Sequence, residues 1–142
     1  MVIPENKGWK TDEYRKIYGR INHIETYFHQ HPELALQEVE TSAYIRKYLE
    51  KLGYEIIPIE PTGLIAELPS LKNREKLVVL RAEMDALPIQ EQTNLPYASV
   101  NQGCMHACGH DMILAAALIL AKNCGRRAKN AGKFSGQTPV PF

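Results

Sequence analysis

The first periodic segment is Tyr14, Ile17, Tyr18, Ile21, Ile24 and Phe28. That spacing predicts a helix with one apolar face. It ends near His31-Pro32, because the residue before a proline resists helical backbone. A second helix is predicted from about Glu38 to Leu52, with Ile45, Tyr48, Leu49 and Leu52 as its stripe and Gly53 as a left-handed stop. The period then shortens. Tyr54 to Ile59 and Gly63 to Leu68 read as strands, and Lys76 to Arg81 as a third. The unbroken Leu77-Val78-Val79-Leu80 run points to a central strand buried on both faces. Pro88 to Asn101 reads as loop. Met112 to Lys122 is apolar nearly all round and reads as a buried helix, with Asp111 placed to cap its start.

This order of helices and strands suits an α/β sheet layered with helices. Ligands gather beyond the carboxyl ends of the strands in such sheets. Asp85 and the loop around Cys108 fall there. From Gly125 the composition shifts, dividing the chain into 1–124 and an atypical tail, 125–142.

Composition narrows the classes. Of 142 residues, 44% are hydrophobic and 23% charged, which excludes a disordered or fibrous chain. A net charge of +1 supplies no bulk field for nucleic acid or a membrane surface. The apolar run Met112 to Ala121 is too short to span a bilayer. Cys104, Cys108 and Cys124 make no disulfide framework, and Met1 to Asp12 is mixed and polar rather than a secretory signal. Both features favour the cytoplasm. Lys122, Arg126, Arg127, Lys129 and Lys133 make the end basic, but without aromatic interleaving they read as a solvated face.

The chemistry concentrates in Met105-His106-Ala107-Cys108-Gly109-His110-Asp111. Thiolate and imidazole are natural ligands of zinc and similar metals. Gly109 between Cys108 and His110 permits an unusual turn. On spacing alone the pair is balanced between a metal site and ordinary packing roles for Cys and His. A thiol hydrolase using Cys108 with His106 or His110 ranks lower, because near neighbours in a chain seldom reach nucleophile–base geometry. Asp85, in Leu80-Arg81-Ala82-Glu83-Met84-Asp85-Ala86-Leu87-Pro88, reads either as a carboxylate that orients a ligating histidine or as a turn residue before Pro88.

Three blocks resemble the M20 metallopeptidase superfamily, in its amidohydrolase branch of N-acyl-amino-acid, hippurate and indole-acetyl-amino-acid hydrolases. They are His29-Gln30-His31-Pro32-Glu33-Leu34 with Glu38, Thr41-Ser42 and Leu52-Gly53; then Leu80 to Glu91; then Met105 to Asp111. The resemblance implies the N-terminal part of a zinc-peptidase-like catalytic domain, with a mixed or parallel sheet flanked by helices. It implies two divalent metal ions (zinc, manganese, nickel or cobalt), Cys108 and His110 among their ligands, and Asp85 as the acid of the first metal motif. The family more often has Asp where this chain has Glu83. The implied reaction is amide hydrolysis of a small N-acyl amino acid or peptide by metal-activated water, with a glutamate moving the proton.

That glutamate and the remaining ligands lie further along in the family, whereas no Glu or His follows His110 here. The expectation is therefore an N-terminal fragment, inactive alone, without the C-terminal part and the inserted dimerisation domain. Its uncovered apolar surface would favour self-association. One permitted coding of Ser135 to Phe142, read one base later, gives Pro-Val-Lys-Leu-Arg-Phe-Leu, the strand common in the family after Gly-Lys-Phe. A frameshift at about Phe134 would account for the ending. The rival expectation is a non-catalytic metal-binding or interaction module.

Overall fold

A computed structural model describes residues 11–69 and 78–131. Helix α1 spans Thr11–Gln30, α2 Val39–Leu52 and α3 His110–Ala131. Strands β1 (Glu55–Ile59) and β2 (Gly63–Glu67) form an antiparallel hairpin that pairs Glu55 with Glu67 and Ile59 with Gly63. The architecture is mixed α/β, as the sequence predicts. The sheet among the described residues is antiparallel, not the parallel or mixed sheet expected.

The first helix ends where Pro32 requires. The second stops at Gly53, whose φ of 91° lies in the left-handed region glycine tolerates. Its start is secured from a distance. Glu38, the N-cap residue, makes no capping hydrogen bond with its side chain. The Glu33 carboxylate instead accepts the backbone N–H groups of Glu40 (3.1 Å) and Thr41 (2.7 Å). Glu38 turns to the hairpin, where its carboxylate accepts the Thr62 hydroxyl at 2.6 Å.

The core sits where α3 packs on α1 and α2. Ile24 and Phe28 from α1, Ile45 and Leu49 from α2, and Leu114, Ala115, Leu118 and Ile119 from α3 form one buried cluster. The i, i+3, i+4 spacing in each helix is what lets one stripe per helix converge there. Gly125 lies inside α3. A Cβ there would stand 3.3 Å from the Leu52 carbonyl oxygen, so glycine permits the close approach of α3 to the end of α2. Residues 132–142, with the proposed shift at Phe134, and Lys76 and Leu77 of the expected third strand lie outside the described residues.

Two expectations are corrected. Residues 78–81 form no strand, and Val78 and Val79 are 92% and 78% exposed. A central strand needs hydrogen-bonding neighbours on both edges, and the two strands described here pair with each other. Helix α3 is not buried all round either: Met112, Ile113 and Leu120 are exposed. Ile113, Ala116, Ala117 and Leu120 form with Leu80 and Arg81 a groove of about 270 Å³. The apolar pattern signals faces to be covered, and only one is covered within the described residues. No described helix is long and apolar enough to cross a membrane.

Candidate metal centre

The three sequence blocks meet in space. The first and second join through the Leu34–Ala86 bridge, where the Ala86 N–H donates to the Glu33 carbonyl at 2.8 Å. The second and third join through the antiparallel Leu87–Met105 bridge, with bonds of 2.9 and 3.0 Å. These pairs hold the 105–109 loop against the segment carrying Asp85. Gly109, at φ 82°, turns that loop into α3, so His110 becomes the helix's first residue.

This turn brings His110 to Asp85. The His110 Nδ1 lies 3.0 Å from the Asp85 Oδ1 and 3.0 Å from the Asp85 carbonyl oxygen. Protonated Nδ1 donates to either acceptor, which leaves the Nε2 lone pair for another partner. Cys108 is a free, exposed thiol in the turn before the helix. It joins no group of three ligand-type side chains among the described residues.

A second cluster lies beside the first, and sequence spacing did not point to it. The His29 ring bridges two carboxylates: Nδ1 is 2.6 Å from Asp111 Oδ2 and Nε2 is 3.2 Å from Glu91 Oε1. Asp111 is thus not the expected N-cap. It occupies the first turn of α3, and its Oδ1 accepts the Met112 N–H at 2.9 Å. Glu91 also accepts the Ser99 N–H at 2.6 Å and the Thr93 hydroxyl. Burial lowers the His29 pKa, but the hydrogen bonds and charges of Asp111 and Glu91 outweigh it and raise the pKa above 6.5. Burial raises the Glu91 pKa, but the bonds from Ser99, Thr93 and His29 win and lower it. Both shifts favour an imidazolium between two carboxylates.

Glu25, His29 and Asp111 place ligand-type atoms within 4.8 Å of one another. Both His29 nitrogens are already engaged, so the cluster reads as an ion-paired clamp. Glu25 is the outlying member; burial first, and the Asp111 charge second, raise its pKa.

His106 completes the neighbourhood. It is buried, and neither ring nitrogen has a hydrogen-bond partner. Burial depresses its pKa, with Asp111 and Asp85 opposing. A buried imidazole with no hydrogen-bond partner is uncommon, and its charge interactions with Asp111, His29, His110 and Asp85 place it in their neighbourhood. The roles of His29 and Glu91 escaped local patterning because His29 is separated from Glu91 by 62 residues and from Asp111 by 82. The signal available was their membership of the three blocks.

Known proteins resemble this chain in sequence and in fold. Residues 79–138 match the model of peptidase family M20/M25/M40. The chain is 45% identical over 126 residues to an N-acetylcysteine deacetylase of Bacillus subtilis, covering 83% of this chain and 32% of that protein. It is 40% identical over 111 residues to a hippurate hydrolase of Campylobacter jejuni, covering 78% of this chain and 29% of that protein. The crystal structure of the Bacillus subtilis YXEP protein, a dinuclear metal binding peptidase from the M20 family, superposes with a TM-score of 0.69 at 45% identity. That match covers 80% of this chain and 32% of the YXEP chain. The chain spans about a third of the length of the relatives it matches. In sequence and in fold, this chain is similar to peptidases of the M20 family.

Proposed function

We propose that this chain carries one part of the divalent-metal centre of an M20-type amidohydrolase, with Cys108 and His110 as ligands and Asp85 as the residue that orients His110. The observation that carries the reading is the paired contact of His110 Nδ1 with the side chain and backbone of Asp85. A metal-ligating histidine characteristically donates its other ring N–H to a carboxylate or carbonyl, which fixes tautomer and ring orientation. Cys108 adds a free thiol two residues away.

A divalent metal held there would supply a Lewis acid that lowers the pKa of a water molecule and polarises an amide carbonyl. The chain's own residues do the holding. Asp85 keeps the Nδ1 proton of His110 in place, so that Nε2 faces its ligand as a base. Gly109 provides the turn that separates Cys108 from the helix. The His29 clamp holds the first turn of α3.

The substrate class follows from the relatives, which act on N-acetylcysteine and hippurate by name. The proposed substrate is accordingly a small N-acyl amino acid. No Glu or His follows His110 in the 142 residues, so these residues lack a group matching the family's proton-shuttling glutamate. The isolated chain is therefore an incomplete site, with little hydrolysis of its own. Localisation in the cytoplasm belongs to the same reading.

Cobalt(II) or zinc titration of wild type and Cys108→Ser, with hippurate hydrolysis assayed in parallel, tests the proposal. Weak binding that depends on Cys108, without turnover, is the expected result. Tight stoichiometric binding without turnover would favour a metal-binding module. Binding indifferent to Cys108, or robust hydrolysis by the monomeric chain, would overturn the proposal.

A further inference from the structure

Among the described residues, the strongest feature outside the Cys108–His110 pair is the His29 bridge. Its two carboxylates are well buried: Asp111 is 3% exposed and Glu91 9%. A buried carboxylate is costly unless paired and hydrogen-bonded, and removing one member of such a set leaves the others uncompensated. The His29 ring reaches one oxygen of each, and it joins three separate parts of the chain: the last turn of α1, the 88–101 loop and the first turn of α3.

The remaining bonds show what the bridge controls. Asp111 uses its other oxygen on the Met112 N–H, so its position sets the first turn of α3, directly after His110. Glu91 uses its other oxygen on the Ser99 N–H, folding the loop back on itself. The neighbouring Gln90 accepts the Gly103 N–H at 2.8 Å, and Val100 donates to the Gln30 carbonyl at 2.9 Å. The loop thus closes over the end of α1 and continues into the segment that carries Cys108.

We infer that His29 is a positioning residue for the Cys108–His110 loop: by clamping Asp111 and Glu91 it holds the start of α3 and the 88–101 loop in one fixed relation. The inference rests on the proposed role of Cys108 and His110. His29 touches neither of them; it acts through Asp111. Small errors in ligand placement weaken a metal site sharply, so a supporting residue of this kind acts on affinity and not only on folding.

The test uses the full 142-residue chain as wild type, His29→Ala and Phe28→Leu. Phe28 is the adjacent, fully buried core residue and serves as a control for general destabilisation. Amide hydrogen exchange reads the clamp directly. In His29→Ala, the Met112 and Ser99 amides should exchange about tenfold faster relative to Leu49 in α2, a change that Phe28→Leu does not produce. The cobalt(II)–thiolate absorption reads the ligand loop. His29→Ala should weaken cobalt binding about tenfold or more, with Phe28→Leu near wild type.

Unchanged relative exchange at Met112 and Ser99 would overturn the clamp. Faster exchange with unchanged cobalt affinity would reduce His29 to a structural residue and overturn the positioning role. If wild type lacks a Cys108-dependent cobalt band, the metal reading itself fails, while exchange still decides whether His29 holds the loop.

Discussion

Asp85 and His110 stand 25 residues apart in the chain and meet twice: the His110 Nδ1 is 3.0 Å from both the side-chain and the backbone oxygen of Asp85. The two acceptors are not equivalent under mutation. Asp85→Ala removes the carboxylate and keeps the carbonyl, so part of the ring's orientation survives. The expected loss in cobalt or zinc affinity is about tenfold, the lower end of what such supporting contacts contribute. Calorimetric titration checks this; an affinity equal to wild type would show that Asp85 does not orient the ligand.

The His29 bridge predicts a pH dependence of stability. The ring is faced by Asp111 from α3, Glu91 from the loop and Glu25 from α1, with the Tyr97 ring edge-on and His106 nearby. The His29 pKa is raised above 6.5, so its stabilisation is fully present below pH 6.5 and lost as pH rises through the higher folded value. The Glu91 pKa is lowered below 4.5, so its stabilisation is present above pH 4.5 and lost as pH falls through the lower folded value. The difference in Tm between wild type and His29→Gln should therefore be largest between pH 4.5 and 6.5 and shrink on the alkaline side. A difference independent of pH would exclude a charged His29.

Glu33 caps α2 from outside the helix, accepting the N–H groups of Glu40 and Thr41. Glu33→Ala leaves those donors without their acceptor and should cost about 1 kcal/mol, the usual effect of losing a helix cap. Urea denaturation measures it. Glu38→Ala tests a different bond, the one to Thr62, and its effect should be read at the hairpin.

The groove of Leu80, Arg81, Ile113, Ala116, Ala117 and Leu120 leaves apolar side chains in water. Contiguous apolar surface of this kind promotes association. Sedimentation velocity across a concentration series should show self-association of the wild-type chain that Ile113→Glu with Leu120→Glu reduces. A monomer at all concentrations in both proteins would refute this.

Much of the fold was legible in local sequence. The Ile24 and Phe28 stripe, the Pro32 stop, Gly53 and the two strands after it all occur as their chemistry requires, because each depends on neighbours within a few residues. The Leu77–Leu80 run misled, since an apolar run states that a segment is to be covered without stating by what.

The site divides along the same line. The ligand types, the Cys108-Gly109-His110 spacing and the Gly109 turn are legible along the chain, because these are properties of adjacent residues. Packing alone brings Asp85 to His110, pins His29 between Glu91 and Asp111, and buries His106 with both nitrogens open. A buried polar group is fixed by partners distant in the chain. Those partners are selected by how α1, the 88–101 loop and α3 pack, and no local periodicity records it.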